Sequence, residues 1–151
     1  MIAVASDHAG FHLKRKILDH LMRLGYPVMD LGAESATVKV DYPDCVAALG
    51  RGLQESRWSR CVAVCGSGIG VSMALNRLHG VRAVTAWSIE SAQLSRLHND
   101  SNALCLGERL LDSEQALSIL DAWLKTDFEG DRHRLRVKKL DQMSEIVAKL
   151  R

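Results

Sequence analysis

The stretch that decides the fold spans residues 61–72 and reads Cys61-Val-Ala-Val-Cys65-Gly66-Ser67-Gly68-Ile69-Gly70-Val71-Ser72. Its first five residues are all apolar, which is typical of a parallel strand that is buried on both faces. The glycines that follow allow the backbone to turn tightly and to approach a ligand, and a helical pattern begins after them. The stretch therefore predicts a buried strand, a loop that can face a ligand, and a helix.

Cys65 lies where this strand ends, and two interpretations of it are open. The free N–H groups at the start of the next helix create a positive local field, which favours the reactive thiolate form of a cysteine. Alternatively, Cys65 is a buried and inert side chain beside a tight structural turn. The stretch alone does not decide between these interpretations.

The length and composition of the chain indicate one globular domain. A chain of 151 residues with 47% hydrophobic residues can bury a single substantial core, which predicts one domain over residues 1–151. The net charge is only +2, and the basic residues are spread out until the last quarter of the chain. A general nucleic-acid-binding protein would concentrate them on one face, so we do not expect a nucleic-acid partner.

The sequence also favours a soluble cytoplasmic protein. No apolar run approaches the length of a membrane span, and Asp7 and His8 precede any apolar core of a signal peptide. The four cysteines include no zinc-like CxxC pair, and they fit a reducing compartment better than a disulfide scaffold. We therefore expect no membrane partner.

Apolar patterns along the rest of the chain predict strands and helices in alternation. The predicted strands span residues 2–6, 26–31, 61–65, 81–86 and 102–106. The predicted helices span residues 11–24, 41–55, 70–78, 88–97, 113–125 and 134–150. This alternation predicts an α/β fold, namely a Rossmann-like three-layer sandwich with a five-stranded parallel sheet in the order 2-1-3-4-5 and an extra C-terminal helix.

In that order the strand sequence reverses between strands one and three. Ligands of open α/β sheets bind at the carboxyl ends of the strands at such a point. Asp7 and His8 follow strand one, and the loop from Cys65 to Gly70 follows strand three. We therefore expect these two loops to face each other.

The glycine loop does not match three common phosphate-binding patterns. The third glycine of a dinucleotide fingerprint would stand at position 71, which is Val71, and no P-loop lysine is present. Val71 also stands where a cysteine phosphatase would carry its arginine. What remains is a set of backbone donors beside a thiol, which suits stabilising a small oxyanion while a thiolate moves a proton.

Three further groups of residues each have a structural and a functional interpretation. Asp7 and His8 form either a helix N-cap or part of the site opposite Cys65. The segment His98-Asn99-Asp100 is either a polar turn or the source of a general acid. Arg132 and Arg136 lie four residues apart on one helix face, which is either a solvated surface or a phosphate clamp to which Arg109 adds a cation.

The remaining cysteines and histidines do not indicate a metal site. Cys45, Cys61 and Cys105 occur in apolar patterns that are typical of core residues. The other histidines follow no spacing of metal ligands, and they are His12, His20 and His79. We therefore expect no metal.

Five motifs together resemble the ribose-5-phosphate isomerase B family, which also contains the galactose-6-phosphate isomerase subunits. They occur in the same order over nearly the whole chain, and they are Ser6-Asp7-His8-Ala9-Gly10-Phe11, Asp41-Tyr42-Pro43-Asp44, Cys65-Gly66-Ser67-Gly68-Ile69-Gly70, Ser95-Arg96-Leu97-His98-Asn99-Asp100 and Glu129-Gly130-Asp131-Arg132-His133. The resemblance implies a Rossmann-like fold and aldose–ketose interconversion of a phosphorylated sugar. It also implies an obligate homodimer or a dimer of dimers, without a metal or organic cofactor.

The resemblance assigns catalytic roles to four residues. Cys65 matches the base that moves the proton, and Ser67 belongs to the loop that binds the enediolate. His98 matches the residue that opens the sugar ring, with Asp7 assisting. Relatives without this cysteine carry a glutamate just after the glycine loop, where this chain has Val71, so the chain resembles the branch that uses cysteine.

The same resemblance assigns substrate-binding roles, and it leaves one question open. The matching residues are His8, Tyr42, Gly66, Gly68, Ile69, Gly70, Asn99, Arg109, Arg132 and Arg136. Among them, His8 and the last two arginines match phosphate ligands. The family builds its site across a dimer, and the sequence leaves open whether His98, Asn99 and Arg109 serve their own chain or the partner.

The substrate is the least determined part of the prediction. Ribose 5-phosphate is the main expectation, and allose 6-phosphate, galactose 6-phosphate or a tetrulose 4-phosphate is the alternative within the family. Trp87, after strand four, either narrows the pocket or packs at its rim. A non-catalytic subunit that only binds a sugar phosphate is a further alternative, although Cys65, Asp7 and His98 are all present.

Overall fold

The computed structural model describes residues 1–150, which form a parallel β-sheet with helices on both faces; Arg151, at the end of the predicted domain, lies outside the described residues. The strands of these residues are β1 (Ile2–Ser6), β2 (Val28–Gly32), β3 (Arg60–Cys65), β4 (Ala83–Thr85) and β5 (Ala103–Gly107). The helices are α1 (Phe11–Arg23), α2 (Tyr42–Gln54), α3 (Ile69–Leu75), α4 (Ile89–Asn99), α5 (Ser113–Lys125), α6 (Asp131–Asp141) and α7 (Met143–Ala148), and a 3₁₀ turn (His8–Gly10) precedes α1. The predicted α/β architecture is confirmed.

The order of the strands is β2-β1-β3-β5-β4, so the predicted order 2-1-3-4-5 is wrong at its last two positions. All five residues of β5 are buried, whereas β4 has three residues that are each only partly buried. A fully apolar strand is favoured inside a parallel sheet, and a short strand is favoured at its edge. β5 therefore lies between β3 and β4.

Two apolar cores lie on the two faces of the sheet. One face is covered by α1, α4 and α5, and its core contains Val4, Val64 and Leu104. The other face is covered by α2 and α3, and its core contains Cys61 and Ala63, which alternate along β3 with Val62 and Val64 of the first core. Because successive strand residues point to opposite faces, the continuous apolar run of β3 supplies both cores.

One residue at the outer edge of β4 is paired by a side chain. Helix α3 ends at Leu75, three residues before its predicted end, and Asn76 follows it. The Asn76 side-chain amide donates to the carbonyl oxygen of Ala83 at 2.9 Å, and its Oδ1 accepts the Ala83 N–H at 2.9 Å. Both backbone hydrogen-bonding groups of Ala83 at this edge are therefore paired.

The C-terminal segment forms two helices instead of the single predicted helix 134–150. Helix α6 begins at Asp131 and packs against α4, and Gln142 separates it from α7. Gln142 has φ −104° and ψ 15°, which departs from helical geometry and breaks the pattern. None of the helices in the described part of the chain combines the length and apolar character that crossing a membrane requires.

Candidate active site

The carboxyl ends of β1 and β3 lie side by side, as predicted. In the parallel register Ser6 lies opposite Val64, and the Asp7 N–H donates to the carbonyl oxygen of Val64 at 3.3 Å. Asp7 and Cys65, which follow these two residues, therefore lie at the same end of the sheet. This is the end at which open α/β sheets bind their ligands.

Cys65 is buried, with 5% of its surface exposed, and its sulfur is held by the loop that follows it. The Gly68 N–H donates to Cys65 Sγ at 3.1 Å. A backbone dipole directed at the sulfur stabilises negative charge there. Cys65 therefore occupies a position where a thiolate would be supported by the backbone.

The other three cysteines are confirmed as core residues. Cys61 and Cys105 are fully buried, and burial raises the pKa of both thiols. Burial also raises the pKa of Cys45, and the nearby carboxylate of Asp7 adds to this effect. These thiols are kept neutral, so they are unsuited to proton transfer at neutral pH.

The loop after Cys65 needs glycine because it lies directly on β5. Gly68 has φ +76°, and a Cβ atom there would lie 2.9 Å from the carbonyl carbon of Leu106. A Cβ atom at Gly107 would lie 2.5 Å from the carbonyl carbon of Ser67. Within the loop the Ile69 N–H donates to Ser67 Oγ at 3.3 Å. The backbone of the loop is therefore fixed before any ligand binds.

Tyr42 and Arg109 lie against this loop in the same chain. A Cβ atom at Gly70 would lie 2.9 Å from Tyr42 Cζ, and one at Gly66 would lie 3.3 Å from Arg109 Cζ. The Arg109 N–H also donates to the carbonyl oxygen of Gly66 at 3.0 Å. Arg109 therefore lies beside the glycine loop of its own chain.

Asp7 caps the 3₁₀ turn, so the N-cap interpretation is confirmed. Its Oδ1 accepts the N–H groups of Ala9 and Gly10 at 2.9 and 3.0 Å. His8 is oriented by Val40, whose carbonyl oxygen lies 3.2 Å from His8 Nδ1. These bonds fix both side chains next to the glycine loop, which is compatible with a functional role as well.

His98 and Asn99 lie at the opposite end of the sheet from Cys65. Helix α4 starts after the carboxyl end of β4 and runs back to the amino end of β5, so its last residues lie near the amino ends of the strands. A strand of five residues is about 17 Å long. Within one chain, His98 therefore lies far from the Cys65 thiol.

The arginines of α6 lie at the same end as His98. The Glu129 N–H donates to the carbonyl oxygen of Leu97 at 3.1 Å, which holds the start of α6 against the end of α4. Arg132 and Arg136 are both exposed on α6. The predicted residues thus form two groups, one at each end of the sheet, and the structure does not bring them together in a single chain.

Sequence reasoning missed two residues that contact His98. The rings of His98 and His133 are stacked, with centroids 4.4 Å apart and planes at 11°. Glu129 Oε2 lies 3.8 Å from His98 Nε2 and 3.5 Å from His133 Nε2. The sequence does contain a signal that these two residues are neighbours, because Glu129 and His133 are four residues apart in a motif that also contains Arg132.

The protonation of His133 is disfavoured by its surroundings. Burial lowers its pKa, and the neighbouring His98 and Arg132 lower it further. The Arg132 Nε–H donates to His133 Nε2 at 3.3 Å, so this nitrogen carries the lone pair of a neutral ring.

His98, Glu129 and His133 also form a candidate metal site, since their ligand atoms all lie within 4.8 Å of one another. Imidazole nitrogens bind zinc in the plane of the ring at about 2.1 Å. Because the two rings are almost parallel and stacked, their lone pairs point side by side and do not converge on one ion. The arrangement therefore does not fit a shared metal ion.

Comparisons with known proteins agree with this geometry. Residues 2–140 match the model of the family described as Ribose/Galactose Isomerase. The chain is 40% identical over 139 residues to ribose-5-phosphate isomerase B of Escherichia coli, which covers 92% of this chain and 93% of that protein.

Two solved structures show the same similarity over almost their full length. Ribose-5-phosphate isomerase B of Clostridium thermocellum superimposes with a TM-score of 0.93 at 40% identity, covering 97% of this chain and 98% of that one. The enzyme of Mycoplasma genitalium, solved with bound ribulose 5-phosphate, superimposes with a TM-score of 0.90 at 36% identity, covering 95% of each chain. From the family match, the sequence identity and the shared fold, this chain belongs to the Ribose/Galactose Isomerase family.

Proposed function

We propose that this protein is an aldose–ketose isomerase that interconverts ribose 5-phosphate and ribulose 5-phosphate. The observation that carries the proposal is the Cys65 thiol, which lies on a preformed loop of backbone donors at the ligand-binding end of the sheet. Membership of the family supports the reaction class, and the Mycoplasma genitalium relative with bound ribulose 5-phosphate supports the substrate.

The active protein is proposed to be a homodimer or a dimer of dimers in which each pocket is built from two chains. One chain supplies the end of the sheet with Cys65, Asp7, His8, Tyr42 and Arg109. The other chain supplies the opposite end, with His98, Asn99, Arg132 and Arg136. The separation of these two groups in one chain supports this arrangement, because neither end alone holds a base together with a ring-opening acid and a phosphate clamp.

In the proposed reaction the phosphate is bound first. Arg132 and Arg136 contact its oxygens as charged donors, and His8 contacts it from the other chain. Asn99 and Tyr42 contact hydroxyl groups of the sugar. His98 protonates the ring oxygen of the cyclic sugar while Asp7 assists removal of the proton from the C1 hydroxyl, which gives the open-chain aldehyde.

The proton transfer between carbons follows. The Cys65 thiolate removes the proton from C2, and the electron pair moves to the carbonyl oxygen to give an enediolate. The N–H groups of Gly66 and Gly70, together with Ser67, stabilise the developing negative charge, while the Gly68 N–H donates to Cys65 Sγ and the Ile69 N–H holds Ser67 Oγ in place. The proton of the C2 hydroxyl passes to O1, Cys65 returns its proton to C1, and the electron pair left on O2 forms the carbonyl group of the ketose. No step uses a metal or an organic cofactor.

The remaining expectations become part of the same proposal. Residues 1–151 are proposed to act as a single domain, and a cytoplasmic location is proposed from the similarity to ribose-5-phosphate isomerase B.

One observation favours a second substrate class. Trp87 follows β4 at the end of the sheet that carries Cys65, and 46% of its surface is exposed. A large side chain at the rim of the pocket can select among sugars of different length. A specialised isomerase for allose 6-phosphate, galactose 6-phosphate or a tetrulose 4-phosphate is therefore the second candidate.

A coupled assay on a panel of four-, five- and six-carbon aldose and ketose phosphates tests the proposal. We expect the highest kcat/KM for ribose 5-phosphate. A higher value for another sugar phosphate would favour the specialised isomerase. Binding of sugar phosphates without turnover of any of them would favour the non-catalytic subunit.

Mixing two inactive variants tests the shared site. Dimers of Cys65→Ala and of His98→Asn each lack one essential group in every pocket, whereas a hybrid dimer has one pocket with both groups intact. Random exchange of equal amounts makes half of the dimers hybrid, so about one quarter of the wild-type activity should return. Each variant mixed with itself is the control, and no recovery after demonstrated exchange would contradict the shared site.

A further inference from the structure

We infer that Glu129 and His133 form a positioning group that fixes the ring of His98 for opening the cyclic sugar. The inference rests on the function proposed above, in which His98 contacts the sugar. The two positioning residues are not assigned a contact with the substrate. Their role is to act through the orientation of His98.

The first support is the stack between the two imidazole rings. His133 is buried, with 5% of its surface exposed, whereas the side chain of His98 is 38% exposed. His98 lies in the last turn of α4. The parallel ring of His133, 4.4 Å away, supplies a rigid surface that restricts it.

The second support is the neutral state of His133. Its Nε2 accepts a hydrogen bond from the Arg132 Nε–H, which requires a lone pair on that nitrogen. A neutral ring can remain stacked when His98 carries the proton that it donates, whereas two charged rings at this distance would repel each other. The stack is therefore compatible with both protonation states of His98.

The third support is the charge of Glu129. The charged groups that face this pair from α6 are Arg132 and Arg136, both positive. The Glu129 carboxylate lies within 4 Å of Nε2 of both rings, and it is the negative group in the cluster. It offsets the positive charge beside His98 and attracts the protonated ring to one orientation.

Steady-state kinetics of three variants test the inference with ribose 5-phosphate. His133→Ala removes the stacking surface, and we expect kcat to fall about 10-fold or more while KM stays within about twofold, because the arginines still bind the phosphate. His133→Phe restores a flat ring and should recover most of kcat. Glu129→Gln keeps the shape and removes the charge, and it should also lower kcat more than it raises KM. His79→Ala, an exposed histidine outside the cluster, is the matched control.

A proton NMR measurement separates positioning from a general loss of structure. The carbon-bound ring protons of His98, identified by their absence in His98→Asn, should show the ring-current shift of a stacked imidazole. We expect that shift to persist in His133→Phe and to disappear in His133→Ala.

Two results would overturn the inference. One is an unchanged kcat in both His133→Ala and Glu129→Gln. The other is a loss of kcat in His133→Phe as large as that in His133→Ala, together with ring protons that do not respond to either substitution. If the wild-type protein isomerised no sugar phosphate, the proposed function would fail instead, and the NMR result would still report on the stack.

Discussion

The candidate residues at the two ends of the β-sheet differ in how deeply they are buried and in how firmly they are held. At the carboxyl end, Cys65 is buried and its sulfur accepts a backbone hydrogen bond from Gly68, in a loop that contacts β5 directly. At the amino end, the candidate residues are the half-exposed His98 and two exposed arginines. Charge stabilisation in a transition state needs dipoles that are fixed in advance, whereas phosphate can be captured by flexible cations at a surface. In the proposed reaction, therefore, the groups that stabilise developing charge lie on a fixed backbone, and the groups that bind the phosphate lie on long side chains.

The largest effect should come from the buried end. Replacing Cys65 by alanine removes the proposed base, and kcat should fall at least about 100-fold, because a positioned general base contributes about 10²- to 10⁴-fold. Cys45→Ala, at another buried cysteine, is the matched control and should keep kcat. A coupled assay measures both variants. Wild-type turnover in Cys65→Ala would remove this residue from the role of base.

A smaller and different effect should come from the exposed end. Arg136→Ala removes a charged hydrogen bond to phosphate that is worth about 1.5–3 kcal/mol, so KM should rise about 10- to 150-fold with little change in kcat. Arg134→Ala is the control, because position 134 lies between Arg132 and Arg136 in sequence and projects from a different side of α6. Initial rates over a range of ribose 5-phosphate concentrations measure both. An unchanged KM in Arg136→Ala would argue against the phosphate clamp.

Urea unfolding tests how rigidly the glycine loop after Cys65 is held against β5. Alanine at Gly68 or at Gly80 forces a side chain into a left-handed backbone conformation, with φ +76° and +73°, at a cost of about 1–3 kcal/mol each. Only Gly68→Ala also brings its Cβ within 2.9 Å of Leu106, whereas nothing lies within 4 Å of a Cβ at Gly80. Gly68→Ala should therefore unfold at a lower urea concentration than Gly80→Ala. Equal midpoints would show that the loop can move away from β5.

The smallest effect should be a pH dependence at the exposed end. The pKa of His133 is lowered in the folded chain, so at acidic pH the unfolded chain takes up this proton more readily than the folded one does. The contribution of neutral His133 to the free energy of unfolding is therefore fully present above the ordinary histidine pKa of about 6.5, and it is lost as the pH falls below that value. Urea unfolding at pH 7.5 and pH 5.5 should show a smaller loss of stability for His133→Phe than for the wild type. The same loss in both proteins would contradict the prediction.

The sequence predicted the buried end better than the exposed end. The strand Cys61–Cys65 and its glycine loop follow from local rules, since an apolar run and glycines determine a backbone conformation without reference to distant residues. The pairing of the Asp7 loop with the Cys65 loop followed from the neighbouring positions of β1 and β3. Local patterns therefore sufficed for this half of the candidate site.

The positions of β4 and of the residues around His98 depend on contacts between distant segments. Periodicity identifies β4 and β5 as strands, but it does not show which of the two is more deeply buried. The sequence also predicts six residues for β4, which has only three. The predicted order therefore places β5 at the edge of the sheet, where the structure has β4. The stack of His98 on His133 joins residues on two helices that only tertiary packing brings together. Roles in the site came from the family resemblance, because no local rule assigns a ring-opening function to a histidine at a helix end.

The pairing of Asn76 with Ala83 limits how this protein can associate with copies of itself. The unpaired backbone groups of a free sheet edge can pair with a strand of another chain, and repeated pairing of this kind leads to open-ended aggregation. At Ala83 the backbone N–H and carbonyl groups are already hydrogen-bonded to the Asn76 side-chain amide, in the way that a neighbouring strand would bind them. At this position a second chain could therefore extend the sheet only by displacing the Asn76 amide.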